Sequence, residues 1–138
     1  MASLLQKLGW VFAALFLGVV ILGYIPGVTD DQGLMFGLFH IDPIDDILHL
    51  GSAIWAAIAA WHSFKAIRFY FRWFGGVYLL DGIIGTFTGN GILDLGIVFN
   101  GISNAPFFTK LAASFPHILI GGAAVYIGFI LSKKIADK

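Results

Sequence analysis

The sequence predicts an all-α membrane protein with four transmembrane helices, and three observations predict it. Hydrophobic residues make up 59% of the 138 and charged residues only 12%, against about 25% charged in an average soluble domain, so lipid must be part of the solvent. The apolar residues gather into four long stretches separated by short polar segments. The charges of those segments alternate in sign. Lys7 precedes the first stretch, Lys65, Arg68 and Arg72 lie between the second and third, and Lys133, Lys134 and Lys138 follow the fourth. The other two connections hold Asp30, Asp31, Asp42, Asp45, Asp46 and Asp94 against a single Lys110. Seven of eight basic residues therefore share one side of a four-crossing chain. The positive-inside bias then places both termini in the cytoplasm, as in a multi-pass plasma-membrane protein.

At this length the chain is expected to form one domain over residues 1–138. Its spans are Leu8–Ile25, Asp46–Trp61, Phe69–Phe87 and Phe115–Leu131. At 1.5 Å per residue they cover roughly 24–28 Å, a little short of a hydrocarbon core of about 30 Å. Snorkelling Lys and Arg, with Trp10, Trp61, Tyr70, Phe71 and Trp73 at the inner boundary, make up the difference. Leu8–Ile25 reads as a membrane helix rather than a cleaved signal, because it exceeds the usual h-region and lacks a small-x-small site after it. Pro26 and Gly27 end it. Pro116 is expected near the start of the fourth helix, where proline is tolerated.

The two halves read as versions of one hairpin. Placing Gly9 on Gly75 also places Val11 on Val77, Phe12 on Tyr78 and Gly23 on Gly89. With two extra residues in the second outer connection, His49 falls on His117, Ala56 on Ala124 and Lys65 on Lys133. Both halves enter from the cytoplasm, so the hairpins form a parallel repeat. The outer connections Gly33–Ile41 and Ile92–Ile102 are apolar yet too short to span. Backbone at membrane depth must satisfy its own hydrogen bonds, so these segments are expected to be short interfacial or re-entrant helices.

The run from Gly37 to Gly51, GLFHIDPIDDILHLG, and the later run from Phe71 to Gly82 carry a resemblance. In these the chain resembles an uncharacterised, domain-of-unknown-function family of small four-helix bacterial integral membrane proteins. The likeness covers nearly the whole chain. It implies a fold and a membrane location, and no activity.

Polar residues inside a span are expensive, so each asks for a reason. Asp81 lies near the middle of the third helix. Its functional reading is a proton- or cation-binding site. The structural alternative is a protonated Asp81 donating a hydrogen bond to a neighbouring helix backbone or to Ser52. The outer rim supplies a second candidate cluster. His49 and His117 occupy matched places at the outer ends of helices two and four, with Asp45, Asp46, Asp94 and His40 expected on the same rim. Imidazole and carboxylate suit a divalent metal, and two facing histidines suit a haem iron. The bland reading gives these histidines to helix ends and headgroups, with no metal bound. His49 and His62 differ by about 140° around one helix, and no second histidine at the inner level partners His62, so a di-haem arrangement is rejected. Small residues, Gly51, Ala53 and Ala56 on helix two and Gly121, Gly122 and Ala124 on helix four, mark expected close packing.

No cysteine is present, which excludes disulfides and thiolate chemistry. No basic stripe beyond the inner rim suggests nucleic acid. No Ser–His–Asp set, phosphate loop or metalloprotease signature appears, so nothing positive points to an enzyme. Three functions follow. The leading one is a structural or partner-binding bundle that forms a homo-oligomer or joins a larger membrane complex. The others are an ion- or proton-handling protein centred on Asp81, and a haem- or metal-binding redox subunit using His49 and His117.

Overall fold

Apart from one small hairpin, all regular structure in the computed structural model is helical, over described residues 2–41 and 43–136. Helix α1 (Leu4–Gly23) begins four residues before the predicted span because Ser3 caps it. The Ser3 hydroxyl accepts from the Gln6 N–H at 3.2 Å, and Gln6 Oε1 accepts from the Ser3 N–H at 3.0 Å. This reciprocal box satisfies two otherwise orphaned donors. Helix α2 (Pro43–His62) opens on a proline, whose missing N–H costs nothing in a first turn. Helix α3 (Phe64–Thr88) follows almost without a break. A short α4 (Gly96–Asn100) precedes α5 (Phe107–Tyr126). The last long helix then passes through a π turn (Ile127–Leu131) into a final turn, α6 (Ser132–Ala136).

Two boundaries correct the sequence reading. Helix α5 starts eight residues before Phe115, so Pro116 lies inside it. The first outer connection is not a short helix. It is a two-stranded hairpin, β1 (Leu34–Met35) against β2 (Phe39–His40). Its turn places Phe36 at φ 53° and Gly37 at φ 69°, left-handed backbone that a helix cannot use. Asp30 Oδ1 accepts the N–H groups of Gln32 and Leu34 at 2.9 Å each and so fixes the approach to β1.

The chain divides into two compact units, Met1–Ile67 and Arg68–Lys138. Each is a helical hairpin with its own outer connection, and the boundary falls inside α3. In the first unit Leu5, Phe12 and Phe16 of α1 are buried, as are Ala53, Ala56 and Ala60 of α2. Their spacing of three, four and seven residues is that of single helix faces. A Cβ on Gly9 would stand 2.8 Å from that of Ala60. In the second unit α3 and α5 touch backbone to backbone through glycines seven residues apart on each helix. A Cβ on Gly75 would meet Val125 N at 2.7 Å, and one on Gly82 would meet Ile118 N at 2.8 Å. From the other side, one on Gly121 would meet Leu79 Cα at 2.7 Å, and one on Gly128 would meet Arg72 N at 2.8 Å. Absent side chains permit that approach.

Among the described residues, two helices are long and apolar enough to cross a membrane, Leu4–Gly23 and the continuous stretch Phe107–Ile135. Helices α2 and α3 have sufficient length, but Asp45, Asp46 and His49 enter the first. Lys65, Arg68 and Arg72 occupy the start of the second.

Candidate functional site

The site grows from Asp81, an acid 3% exposed in the C-terminal third of α3. Seven residues beyond it the helix ends at Thr88, and the chain then turns back along it. The Ile92 and Leu93 N–H groups both donate to Asp81 Oδ1, at 2.6 and 2.9 Å. The connection thus returns about 10 Å along the helix axis. Gly91 is what lets it lie there, since a Cβ at that position would stand 2.7 Å from Asp81 Oδ1. The loop closes on itself: Ser103 N–H donates to Thr88 O at 2.7 Å, Ile97 N–H to Gly91 O at 2.9 Å, and Asn90 Nδ2 to Gly101 O at 2.7 Å. Asp94 has a local role, its Oδ1 accepting the Gly96 N–H at 2.9 Å to start α4.

The other carboxylate oxygen, Asp81 Oδ2, lies 2.6 Å from His117 Nδ1 on α5. The His117 side chain keeps 32% of its surface exposed while that of Asp81 keeps 4%. The imidazole therefore links a buried acid to the outside of the unit. Gly82 makes the approach possible, because a Cβ there would reach the His117 carbonyl carbon at 3.1 Å. On its flank the ring rests against Tyr78, with centroids 4.7 Å apart. Tyr78 in turn continues a stack through Phe74 to Tyr70, at 4.5 and 4.8 Å.

This arrangement corrects two expectations. Asp81 has a partner, and it accepts rather than donates at Oδ1. The carboxylate nearest His117 is Asp81, 36 residues away in sequence. His49, its counterpart in the other unit, stacks instead on Phe16, with centroids 5.8 Å apart and planes 23° from parallel. Asp46 Oδ2 accepts the Tyr24 hydroxyl at 2.8 Å, joining the C-terminal end of α1 to the first turn of α2. Asp45 sits beside it in the first turn of α2. The His40 side chain lies outside the described residues. Among the described residues, no group of three His, Asp or Glu side chains is placed to hold a metal ion. Of the expected packing positions, Ala53, Ala56, Gly121 and Ala124 are buried. Gly51 and Gly122 face open space, with nothing within 4 Å of an added Cβ.

A second polar contact recurs in both units and was not foreseen. Gln6 Nε2 donates to Ala60 O at 2.9 Å, and Arg72 Nε donates to Gly128 O at 2.9 Å. Ala60 is in the last turn of α2, where carbonyls lose their helical partners. Gly128 loses its partner to the π turn, because Ser132 N–H donates to Ile127 O instead. The Ser132 hydroxyl and Arg72 take up the freed oxygen, the hydroxyl at 2.6 Å. The signal was present: the register that sets Gly9 on Gly75 sets Gln6 on Arg72, and the one that sets His49 on His117 sets Ala60 on Gly128.

No curated protein and no solved structure matches the chain. Residues 6–130 match the family described as Domain of unknown function (DUF4383), a span that takes in both hairpins and the Asp81–His117 pair, and the chain belongs to that family.

Proposed function

We propose that the chain crosses the inner membrane four times, both termini cytoplasmic, as two parallel repeats of one hairpin with outer connections that dip into the interface. We further propose that the Asp81–His117 pair is its working site and handles protons. Large apolar side chains stand exposed on all four long helices, among them Val11, Ile21, Ile54, Ile58, Phe69, Phe87, Leu119 and Phe129. Lipid is the solvent that suits such faces. The repeat is supported by Gln6→Ala60 and Arg72→Gly128, the same contact at matched positions of both hairpins.

The observation that carries the site is the 2.6 Å contact between a buried carboxylate and a half-exposed imidazole. An isolated acid at depth has nowhere to pass a proton, whereas an acid joined to His117 has a route outward. The two loop N–H groups hold the acid in place while the imidazole exchanges its proton. The test is proton flux in liposomes loaded with a pH-sensitive dye. We expect flux above protein-free liposomes, lost in Asp81→Asn and in His117→Gln although both variants fold. Wild-type protein that moves no protons would overturn this reading and leave the pair a structural clip.

In that event the partner-binding bundle takes the lead. It is favoured by Gly18, Gly51, Gly76 and Gly122, glycines on outward faces with no neighbour within 4 Å of an added Cβ, where a partner helix has room to approach. Chemical cross-linking in native membranes tests it, with a discrete higher-mass band as the expected result.

A further inference from the structure

The basic end of α3 is built as well as charged. Arg68 and Arg72 are four residues apart and so lie on one face of the helix. Arg72 is fixed at three points. Its Nε donates to Gly128 O, its guanidinium carbon sits 4.9 Å from the centre of the Phe129 ring, and its backbone lies against Gly128. One of its five N–H donors is thereby used, and the fork of the two terminal nitrogens is left for a partner outside the helix pair. Arg68 is the more telling residue. Its Nε is buried and has no hydrogen-bond partner among the described residues. Leaving a charged donor so placed without an acceptor is costly, and a planar guanidinium matches a phosphoryl group in particular. Lys133 and Lys134 are exposed one turn beyond the π turn that Arg72 reaches. No carboxylate among the described residues stands within ion-pair distance of these four cations.

We propose that Arg68 and Arg72 form a binding site for the phosphate of an anionic phospholipid headgroup, with Lys133 and Lys134 adding attraction at its edge. The proposal rests on the membrane reading above and is independent of the proton reading. Basic pockets between membrane helices take such headgroups. Here the second helix contributes the Gly128 carbonyl that aims Arg72. Arg68 then meets the phosphate through its two terminal nitrogens, for which no acceptor stands among the described residues, while its Nε stays buried behind them.

The full chain is placed in nanodiscs of phosphatidylcholine alone to establish insertion and a baseline unfolding temperature. Lipid retention is then read by native mass spectrometry after titration with phosphatidylglycerol, phosphatidylcholine or inorganic phosphate. Wild type should retain phosphatidylglycerol in preference to phosphatidylcholine, and Arg68→Gln should bind it about fivefold more weakly with an unchanged baseline. Arg68→Lys keeps the charge without the fork and should fall between the two, which keeps the site testable if the Gln variant fails to fold. Displacement of the lipid by millimolar inorganic phosphate would support the same site and name soluble phosphate as its other source. Equal retention of both lipids by wild type, or full retention of phosphatidylglycerol by the Arg68 variants, overturns the site. Failure of wild type to enter phosphatidylcholine discs is a separate result that overturns the membrane reading and takes the site with it.

Discussion

At Asp81 one side chain holds three elements: its own helix, the returning loop and α5 through His117. Asn keeps an oxygen for the Ile92 and Leu93 N–H groups and an amide facing His117. Leu keeps none, and each orphaned buried donor costs about 1–3 kcal/mol. We therefore expect Asp81→Asn to unfold within a few degrees of wild type in detergent and Asp81→Leu to unfold well below it. Equal unfolding temperatures for the two variants would remove the carboxylate from the structural account. That Asp81 needs a reason was legible in the sequence, because a carboxylate amid a long apolar stretch always does. Its partner was not. Thirty-six residues separate Asp81 from His117, and a single sequence does not fix how far one helix slides along another. The loop N–H groups were hidden for a different reason, since backbone donors leave no mark in residue identity beyond the small Gly91 that admits them.

At the scale of the helices, existence was legible and facing was not. The polar breaks locate the long helices, although α3 begins five residues before Phe69 and α5 eight before Phe115, because Lys65, Arg68, Thr109 and Lys110 lie inside the helices rather than before them. Facing is harder because these helices carry large apolar side chains on their exposed faces as well as their buried ones, so periodicity no longer separates core from surface. Gly121 and Gly122 illustrate this. They are adjacent, about 100° apart around the helix. Only Gly121 meets α3, at Leu79. Gly121→Leu should destabilise the unit by at least about 1–3 kcal/mol, and Gly122→Leu should leave its unfolding temperature near that of wild type. Thermal unfolding in detergent measures both, and the reverse order would mean that α5 is turned by one residue. The glycines of α3 were open to discovery, since Gly75 and Gly82 repeat at seven residues as Gly121 and Gly128 do.

For the whole molecule the strongest signal is the segregation of charge, and it concerns orientation rather than shape. Cysteines introduced near Asp31 and Asn104 should react with an impermeant reagent from outside the cell, and one after Lys134 should react only once the membrane is opened. Labelling of the last in intact cells would invert the proposed topology. The proposed repeat rests in the sequence on a run of matched small and aromatic residues. Its physical content emerged only with Gln6 and Arg72. These side chains differ in chemistry yet serve carbonyls at the same level of their hairpins, so comparison by residue type passed over them.

The π turn from Ile127 to Leu131 has a consequence for how the chain tolerates length changes. A π turn is an α-helix holding one residue more than its ladder needs, so the segments on either side keep the phase they would have without that residue. A single deletion there is a repair. Removing Ile130, an exposed position, should return the segment to regular i→i+4 bonding and leave Lys133 and Lys134 pointing as they do now. Removing Leu119, from the regular part of α5, should instead rotate all that follows by about 100°, carrying Gly121 and Gly128 off α3. We expect the first deletion to be expressed and folded and the second to be lost, with expression and thermal unfolding as the measurements. One stretch of five residues would then be where this helix can shed a residue and keep its alignment with its neighbour.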